Sequence, residues 1–406
     1  MKILSFTSVY PTPDEPGRGI FIRNRLRALA EEAEVTVLAP VALIEYGRPT
    51  KKIRGRVPAS RQDGSLEVLY PRWLPLPLGG ALNVLTLSLQ SLKTVLRLEG
   101  SGIEVIDAHF GHPEGAAAAL LAWAIGRPFT VTIRGSEVIH ARYRFRRWLM
   151  KWAFRRAACV IAVSERLRQF AISLGVDPDR AITIPNGVDT SVFHLRDQDQ
   201  MRSRLNLPPS QKMILVAGHL VPEKGHHRVV QALARLRDRG CNAGLVIAGT
   251  AGPGGRGYQA EMQIMATRLN IQDQITWLGQ TDHRALAEYM CAADVFCLAS
   301  SREGWPNVLH EALACGTPAV CTDVGAVPEL IGSPRNGIVV PAADQEALVQ
   351  ALQQAFLQDW DRPSISAHGS ARTWEHVGHE VIRQFEKLIP HGVRNAQEPV
   401  SVIPEP

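Results

Sequence analysis

Short, fully apolar runs alternate with amphipathic stretches along most of the chain. Residues 2–9 form an apolar run that stops at Tyr10-Pro11-Thr12-Pro13, the pattern of a buried first strand. A loop, Asp14 to Gly19, leads into a helix over about 20–31, and residues 35–40 are the second strand. This β-loop-α-β order opens a parallel sheet. Residues 41–65 are irregular and basic, and 69–98 are apolar, broken by prolines at first and helical afterwards. Further strands fall at 105–109, 129–133, 160–163 and near 182–184, with an alanine-rich helix at 116–125 and Ser164 as a helix cap. A polar run from Leu195 separates a second series. Its strands fall at 213–217, 245–248, 275–278, 294–299, 319–321 and 337–340, with helices near 227–239, 258–269 and 283–291. Two successive βα series predict an α/β protein with two Rossmann-like domains facing a central cleft, over 1–192 and 193–369. Residues 391–406 carry little apolar pattern and are expected to be disordered.

Composition narrows the class without naming a chemistry. At 406 residues, with 45% apolar and 21% charged positions, the chain suits a soluble protein of two domains. A net charge of +6 does not by itself call for nucleic acid; it suits anionic small molecules or an anionic membrane surface. The six cysteines form no Cys-x-x-Cys and no Cys/His cluster, which reads as reduced core cysteines of a cytoplasmic protein. The opening apolar run is too short for a signal peptide, and none reaches the length of a membrane span.

The candidate chemistry centres on residues 300–320. Glu303 sits in a turn with Gly304 and Pro306 after an apolar run, and Glu311 lies about a turn into the next helix. Strand-to-helix junctions are where open α/β sheets bind ligands, because backbone N–H groups at the helix start face the crevice. Asn307 is the expected cap, with Pro306 at an early helical position. The plainer reading is a capped surface helix with exposed glutamates. Lys224, in Gly218-His219-Leu220-Val221-Pro222-Glu223-Lys224-Gly225, occupies the βα turn after the first strand of the second half, as a cleft cation or as a solvated lysine. Gly17 and Gly19 permit a close approach of backbone to a ligand, or simply a surface turn.

Residues 300–320 resemble the Glu-x7-Glu element of retaining GT-B glycosyltransferases in glycosyltransferase family 4, and the similarity extends over about residues 1–390. It implies a GT-B fold in which a C-terminal helix, within 370–390, crosses back onto the first domain. It also implies a sugar donor activated as a UDP or GDP diphosphate, a glycan or lipid-linked acceptor, cell-surface polysaccharide synthesis, and no metal or other cofactor. Glu311 then corresponds to the ribose-binding residue and Glu303 to the one holding donor-sugar hydroxyls. Gly304, Asn307 and Val308 offer backbone N–H groups beside Pro306, which has none. Lys224 corresponds to the diphosphate-binding lysine, beside Glu223. His219 stands where the family has an arginine, which weakens the positive clamp at neutral pH. Gly19 belongs to the N-domain loop lining the cleft. Arg134 stands at a strand end where much of the family has a histidine. It cannot act as a base, so it is expected to be a charge clamp. His109 and His112 are alternative polar contacts. A sugar-nucleotide epimerase on the same fold and a non-catalytic nucleotide-sugar binding module are the competing readings.

Three other stretches compete for attention. Gly252-Pro253-Gly254-Gly255-Arg256-Gly257 matches Gly-x-Gly-x-x-Gly, but it follows an internal strand and Pro253 removes a donor. Asp359-Trp360-Asp361 resembles a metal-binding Asp-x-Asp yet reads as a solvated turn. In residues 142–156, helical spacing places Phe145, Trp148, Leu149 and Trp152 on one face with Arg144, Arg147, Lys151 and Arg155 on its flank. That face either meets the core or lies in a membrane interface.

Overall fold

The structure is a computed structural model that describes residues 1–43, 57–76, 82–252, 255 and 257–389. Two sheets dominate it. The first contains β1 (Lys2–Phe6), β2 (Glu34–Leu38), β4 (Ser60–Asp63), β5 (Leu66–Leu69), β7 (Val105–His109), β8 (Phe129–Ile133), β9 (Cys159–Ala162) and β10 (Ala181–Thr183). The short β3 (Val41–Ala42) and β6 (Arg72–Trp73) pair apart from it. Its order is β10-β9-β8-β7-β1-β2-β5-β4, parallel except for the β4–β5 pair. The second sheet holds β11 (Lys212–Ala217), β12 (Ala243–Ala248), β13 (Ile275–Gly279), β14 (Val295–Leu298), β15 (Ala319–Thr322) and β16 (Gly337–Val340). Its order is β13-β12-β11-β14-β15-β16, parallel throughout.

Strands β7, β8 and β12 are buried at every position; β12 is apolar throughout, whereas the polar Asp107, His109, Thr130 and Thr132 of β7 and β8 are buried while hydrogen-bonded to one another, to Arg25 and to Ser5. The order reverses beside β1 and beside β11, and the loops leaving the carboxyl ends of neighbouring strands there point into the crevice between the sheets. Two expectations fail in the first half. The 41–65 segment is not wholly irregular: β3 and β4 fall inside it, and residues 44–56 lie outside the described residues. In β4 the side chains of Ser60, Arg61 and Gln62 are exposed, so no apolar period marks the strand. The first strand ends at Phe6, because the Thr7 hydroxyl takes the Val9 N–H and turns the chain out of the sheet. The expected disordered tail, 391–406, also lies outside the described residues.

The chain crosses between the sheets near its end. A bridge pairs Val188 with Thr373, and helix Trp374–Leu388 then packs on helix Ile20–Leu29. Val377, Val381, Ile382 and Phe385 repeat at helical spacing and share one apolar cluster with Ile3, Ile22 and Leu26 of the first domain. Thr373 starts this helix with a reciprocal cap involving His376.

Candidate active site

On the second domain, Glu303 and Lys224 form the centre of the cleft wall. Lys224 Nζ lies 2.7 and 3.0 Å from the two carboxylate oxygens of Glu303. Ser300 Oγ donates to Glu303 Oε1 at 2.7 Å. The Glu303 side chain is only 7% exposed, so its charge is balanced locally rather than by water. The backbone explains the placement of Lys224. It ends a short turn, Pro222–Lys224, followed by Gly225 at φ 70°. A Cβ at Gly225 would lie 1.9 Å from the Ala299 carbonyl oxygen, so only glycine seats this turn on the end of β14. The Ser301 N–H then closes onto the Glu223 carbonyl at 2.8 Å, leaving the exposed Glu223 side chain outside the contact.

Helix Asn307–Ala314 starts immediately behind this pair, with one correction to the sequence reading. Pro306, not Asn307, holds the cap position, and no side chain caps the helix. The first helical bonds to Pro306 come from Leu309 and His310. The N–H groups of Asn307 and Val308 precede them, at the positive end of the helix. Glu311 lies one turn further on. Burial in the cleft, and secondarily Asp189, pushes its carboxyl up to about 7. Trp305 packs against the apolar cores of both domains.

The facing wall comes from the first domain. Glu137 is fully buried and accepts from the N–H groups of Gly111 at 2.9 Å, Arg134 at 3.1 Å and Gly135 at 2.8 Å. It thereby ties the loops after β7 and β8 together and presents Gly135 to Gly304 across the cleft. A Cβ at Gly304 would lie 1.9 Å from the Arg134 carbonyl oxygen, so the two backbones touch.

Arg134 is 9% exposed, and its guanidinium is held by its neighbours. Its Nη1 donates to Asn186 Oδ1 at 2.9 Å, its Nη2 lies 3.3 Å from His109 Nδ1, and the guanidinium sits 5.0 Å from the Phe21 ring centroid. Asn186 in turn donates to Asn307 Oδ1 at 2.9 Å, which carries the chain of contacts from one domain to the other. Burial lowers the Arg134 guanidinium to about 9, so it stays charged at neutral pH. His109 is fully buried behind it. Its Nε2 lies 3.1 Å from Ser5 Oγ and 3.3 Å from Asp107, and burial lowers it to about 4. A neutral ring with Nδ1 as acceptor and Nε2–H as donor satisfies all these contacts. Asp107 also pairs with the buried Arg25 at 3.3 Å.

The remaining candidates divide. His219 is exposed after β11, and local desolvation with Lys224 nearby biases it toward the neutral form. Gly19, at φ 68°, packs against Val9, where a Cβ would lie 2.3 Å from the Val9 carbonyl oxygen; it shapes the start of helix Ile20–Leu29. His112 is buried with neither ring nitrogen hydrogen-bonded. Asp361 caps helix Arg362–Ser370 through the Ser364 N–H, which accounts for the Asp359-Trp360-Asp361 stretch. In the glycine-rich loop, Pro253, Gly254 and Arg256 lie outside the described residues. Helix Arg144–Arg156 buries Leu149, Met150, Ala153 and Phe154, while Phe145 and Trp148 face outward at 52% and 57% exposure. The predicted apolar face therefore splits: Leu149 is buried and Trp152 packs half-buried against the core, while Phe145 and Trp148 lie outside it. Sequence reasoning assigned no role to Glu137, Asn186, Ser300 or Asp107. The partners of Asn186 and Asp107 are far along the chain and those of Glu137 are on backbone, so no spacing marks them; Ser300 reaches Glu303 only three residues on, a contact that the turn alone brings about.

Two facing Rossmann-like domains, with a Lys–Glu pair and a helix start on one wall, define a GT-B glycosyltransferase. Residues 16–192 match the family described as Glycosyltransferase Family 4, and residues 197–369 match Glycosyl transferases group 1. The putative teichuronic acid biosynthesis glycosyltransferase TuaC of Bacillus subtilis is 31% identical over 90% of this chain and 92% of its own length. The lipopolysaccharide core biosynthesis mannosyltransferase LpsB of Rhizobium meliloti is 30% identical over 55% of this chain and 62% of its own. Among solved structures, sucrose-phosphate synthase from Thermosynechococcus elongatus superposes with a TM-score of 0.75 at 20% identity, covering 96% of this chain and 99% of that one. Anabaena HepE in complex with UDP gives 0.75 at 19%, covering 96% and 100%. The chain belongs to glycosyltransferase family 4, group 1 type. No helix among the described residues is long and apolar enough to cross a membrane.

Proposed function

We propose that the protein is a retaining, metal-independent glycosyltransferase that moves a hexose from a nucleotide-diphosphate sugar to a glycan or lipid-linked acceptor in cell-surface polysaccharide synthesis. The observation that carries the reading is the Lys224–Glu303 pair at 2.7 Å beside the start of helix Asn307–Ala314. A departing diphosphate needs a cation and free N–H donors where its charge develops, and both stand together here. In the loaded site Lys224 turns from Glu303 toward the diphosphate, and Glu303 is released to accept hydrogen bonds from sugar hydroxyls. Glu311 accepts from the ribose hydroxyls, and Asn307 and Val308 donate backbone N–H groups. His219, neutral at pH 7, adds a hydrogen bond rather than a full charge, so Lys224 is the principal cation.

Of the two first-domain candidates at the strand ends, Arg134 is cationic and His109 is buried behind it, so neither serves as a general base. This favours attack on the face from which the phosphate leaves. The acceptor oxygen bonds to the anomeric carbon as the carbon–oxygen bond to phosphate breaks. The bonding pair stays on the phosphate oxygen, which takes the acceptor's proton. TuaC and LpsB are named for cell-surface polymers, and HepE has been solved with UDP, which supports acceptor and donor class alike. The outward Phe145 and Trp148, with Arg144 and Arg147 beside them, suit an anionic membrane surface near a lipid-linked acceptor. Screening UDP- and GDP-sugars for donor turnover tests the reading. Glu303→Ala and Lys224→Ala should each lower kcat/KM by about 100-fold or more while the fold persists. Undiminished turnover in both variants would overturn it, and donor conversion without any acceptor would favour an epimerase.

A further inference from the structure

Beside the donor site, the first domain gathers cations that the transfer chemistry above does not use. His112 is 6% exposed, and neither its Nδ1 nor its Nε2 has a hydrogen-bond partner. Leaving both nitrogens of a buried imidazole unmet is costly, and it points to a group that the site normally holds. The ring faces His140, with centroids 5.3 Å apart. Arg146 Nη1 lies 3.1 Å from His140 Nδ1, and its guanidinium stacks 4.7 Å from the Tyr143 ring centroid. The charged groups acting on His112 are His140 and Arg146, and on His140 it is Arg146. Among the described residues no carboxylate pairs with Arg146. Burial first, and then Arg146, keep both imidazoles toward the neutral form, so the cluster presents one permanent charge, on Arg146, beside the unmet ring nitrogens of His112, a set of groups that an anion can complete.

The position fits an acceptor. Helix Ser136–His140 begins at Gly135, the residue that meets Gly304 of the donor wall. At a rise of ~1.5 Å per residue, His140 lies about 7 Å beyond that contact. The same cluster opens the helix whose Phe145 and Trp148 are exposed. We infer that His112, His140 and Arg146 form a binding site for a phosphate or diphosphate group carried by the acceptor, placed between the reacting sugar and the outward aromatic face. Arg146 supplies a permanent charge with a fork of donors. The two imidazoles take up protons as the anion arrives, since an adjacent negative charge favours their charged forms.

This inference rests on the transferase reading for the word acceptor, but its test needs no turnover. Protein carrying 15N in its histidine rings is titrated with inorganic pyrophosphate or with geranyl diphosphate. UDP is present in excess throughout, so that the donor site is filled. The ring nitrogens of His112 and His140 should move toward the doubly protonated pattern with either probe. Arg146→Gln and His140→Asn should each weaken pyrophosphate binding at least tenfold while UDP affinity stays unchanged. A lipid source for the anion predicts that Trp148→Ser weakens geranyl diphosphate but not pyrophosphate; equal binding of both probes by that variant assigns the group to a soluble phosphorylated glycan. Silent histidine rings, or wild-type pyrophosphate affinity in Arg146→Gln and His140→Asn, would overturn the site. A protein that responds this way yet transfers no sugar would refute the transferase reading alone.

Discussion

Gly304→Ala isolates what the contact between the two walls is worth. Its new Cβ meets nothing of its own domain first; the nearest atoms are the Arg134 carbonyl oxygen at 1.9 Å and carbon at 2.8 Å. Ordinary contact begins near 3.4 Å, so relief requires the walls to part by ~1.5 Å. A separation of that size carries the Asn186–Asn307 bond, now 2.9 Å, past the ~3.2 Å limit of a good hydrogen bond. The stability lost with that bond is only about 1 kcal/mol, because both amides regain water. Catalysis suffers far more. A ~1 Å misplacement of reacting groups can cost on the order of 100-fold, so kcat should fall by about that factor. UDP affinity, which the proposed donor site assigns to residues of the second domain, should change little. The assay is steady-state transfer from the best donor, with UDP affinity by calorimetry and a thermal melt on the same preparation. Gly100→Ala is the control, since its Cβ would meet only the Arg97 carbonyl oxygen at 3.6 Å. Wild-type kcat in Gly304→Ala would refute the requirement for contact between the walls.

Glu311 is harder to ionise in the fold, at about 7, than its ordinary 4.5. Its contribution to stability is therefore complete below about pH 4.5 and is lost as pH rises through 7, so Glu311→Gln should gain melting temperature relative to wild type between pH 5 and pH 8. If ribose hydroxyls donate to this carboxylate, UDP binding near pH 7 should release protons, seen as a buffer-dependent enthalpy that vanishes in Glu311→Gln. Asp107→Ala leaves the 2% exposed Arg25 without its ion-pair partner and should cost about 3–5 kcal/mol, read by denaturant unfolding. Vesicles of anionic lipid should float the wild-type protein at low salt but not the double variant Phe145→Ser, Trp148→Ser, whose substitutions lie outside the core. Flotation of that variant at wild-type level would remove the aromatic face from the membrane reading.

Local pattern was enough for the architecture, and together with the family resemblance it pointed to half of the candidate site. Continuous apolar runs such as those in β12 and β14 mark strands buried on both faces, and their alternation with helices announces parallel sheets. Glu303 and Lys224 were legible because each follows a strand at a turn, and Glu311 because it lies one turn into the helix that starts there, where chain order puts side chains beside the crevice. β4 was not legible: its exposed polar residues are held by pairing with β5, and pairing leaves no mark in a hydrophobic period. The facing wall was equally silent. Glu137 binds backbone N–H groups, which any sequence possesses, and Asn186 and Asn307 meet from 121 residues apart. The direction of Arg134 was decided by tertiary structure as well. Residue type established that it stays charged and cannot be a base, but only the fold sets its guanidinium against Asn186, His109 and Phe21, with Asn186 bonded on to Asn307 of the other domain. The sequence carries the identities of the groups and their order along the strands; burial and the meeting of distant loops determine which of them face one another.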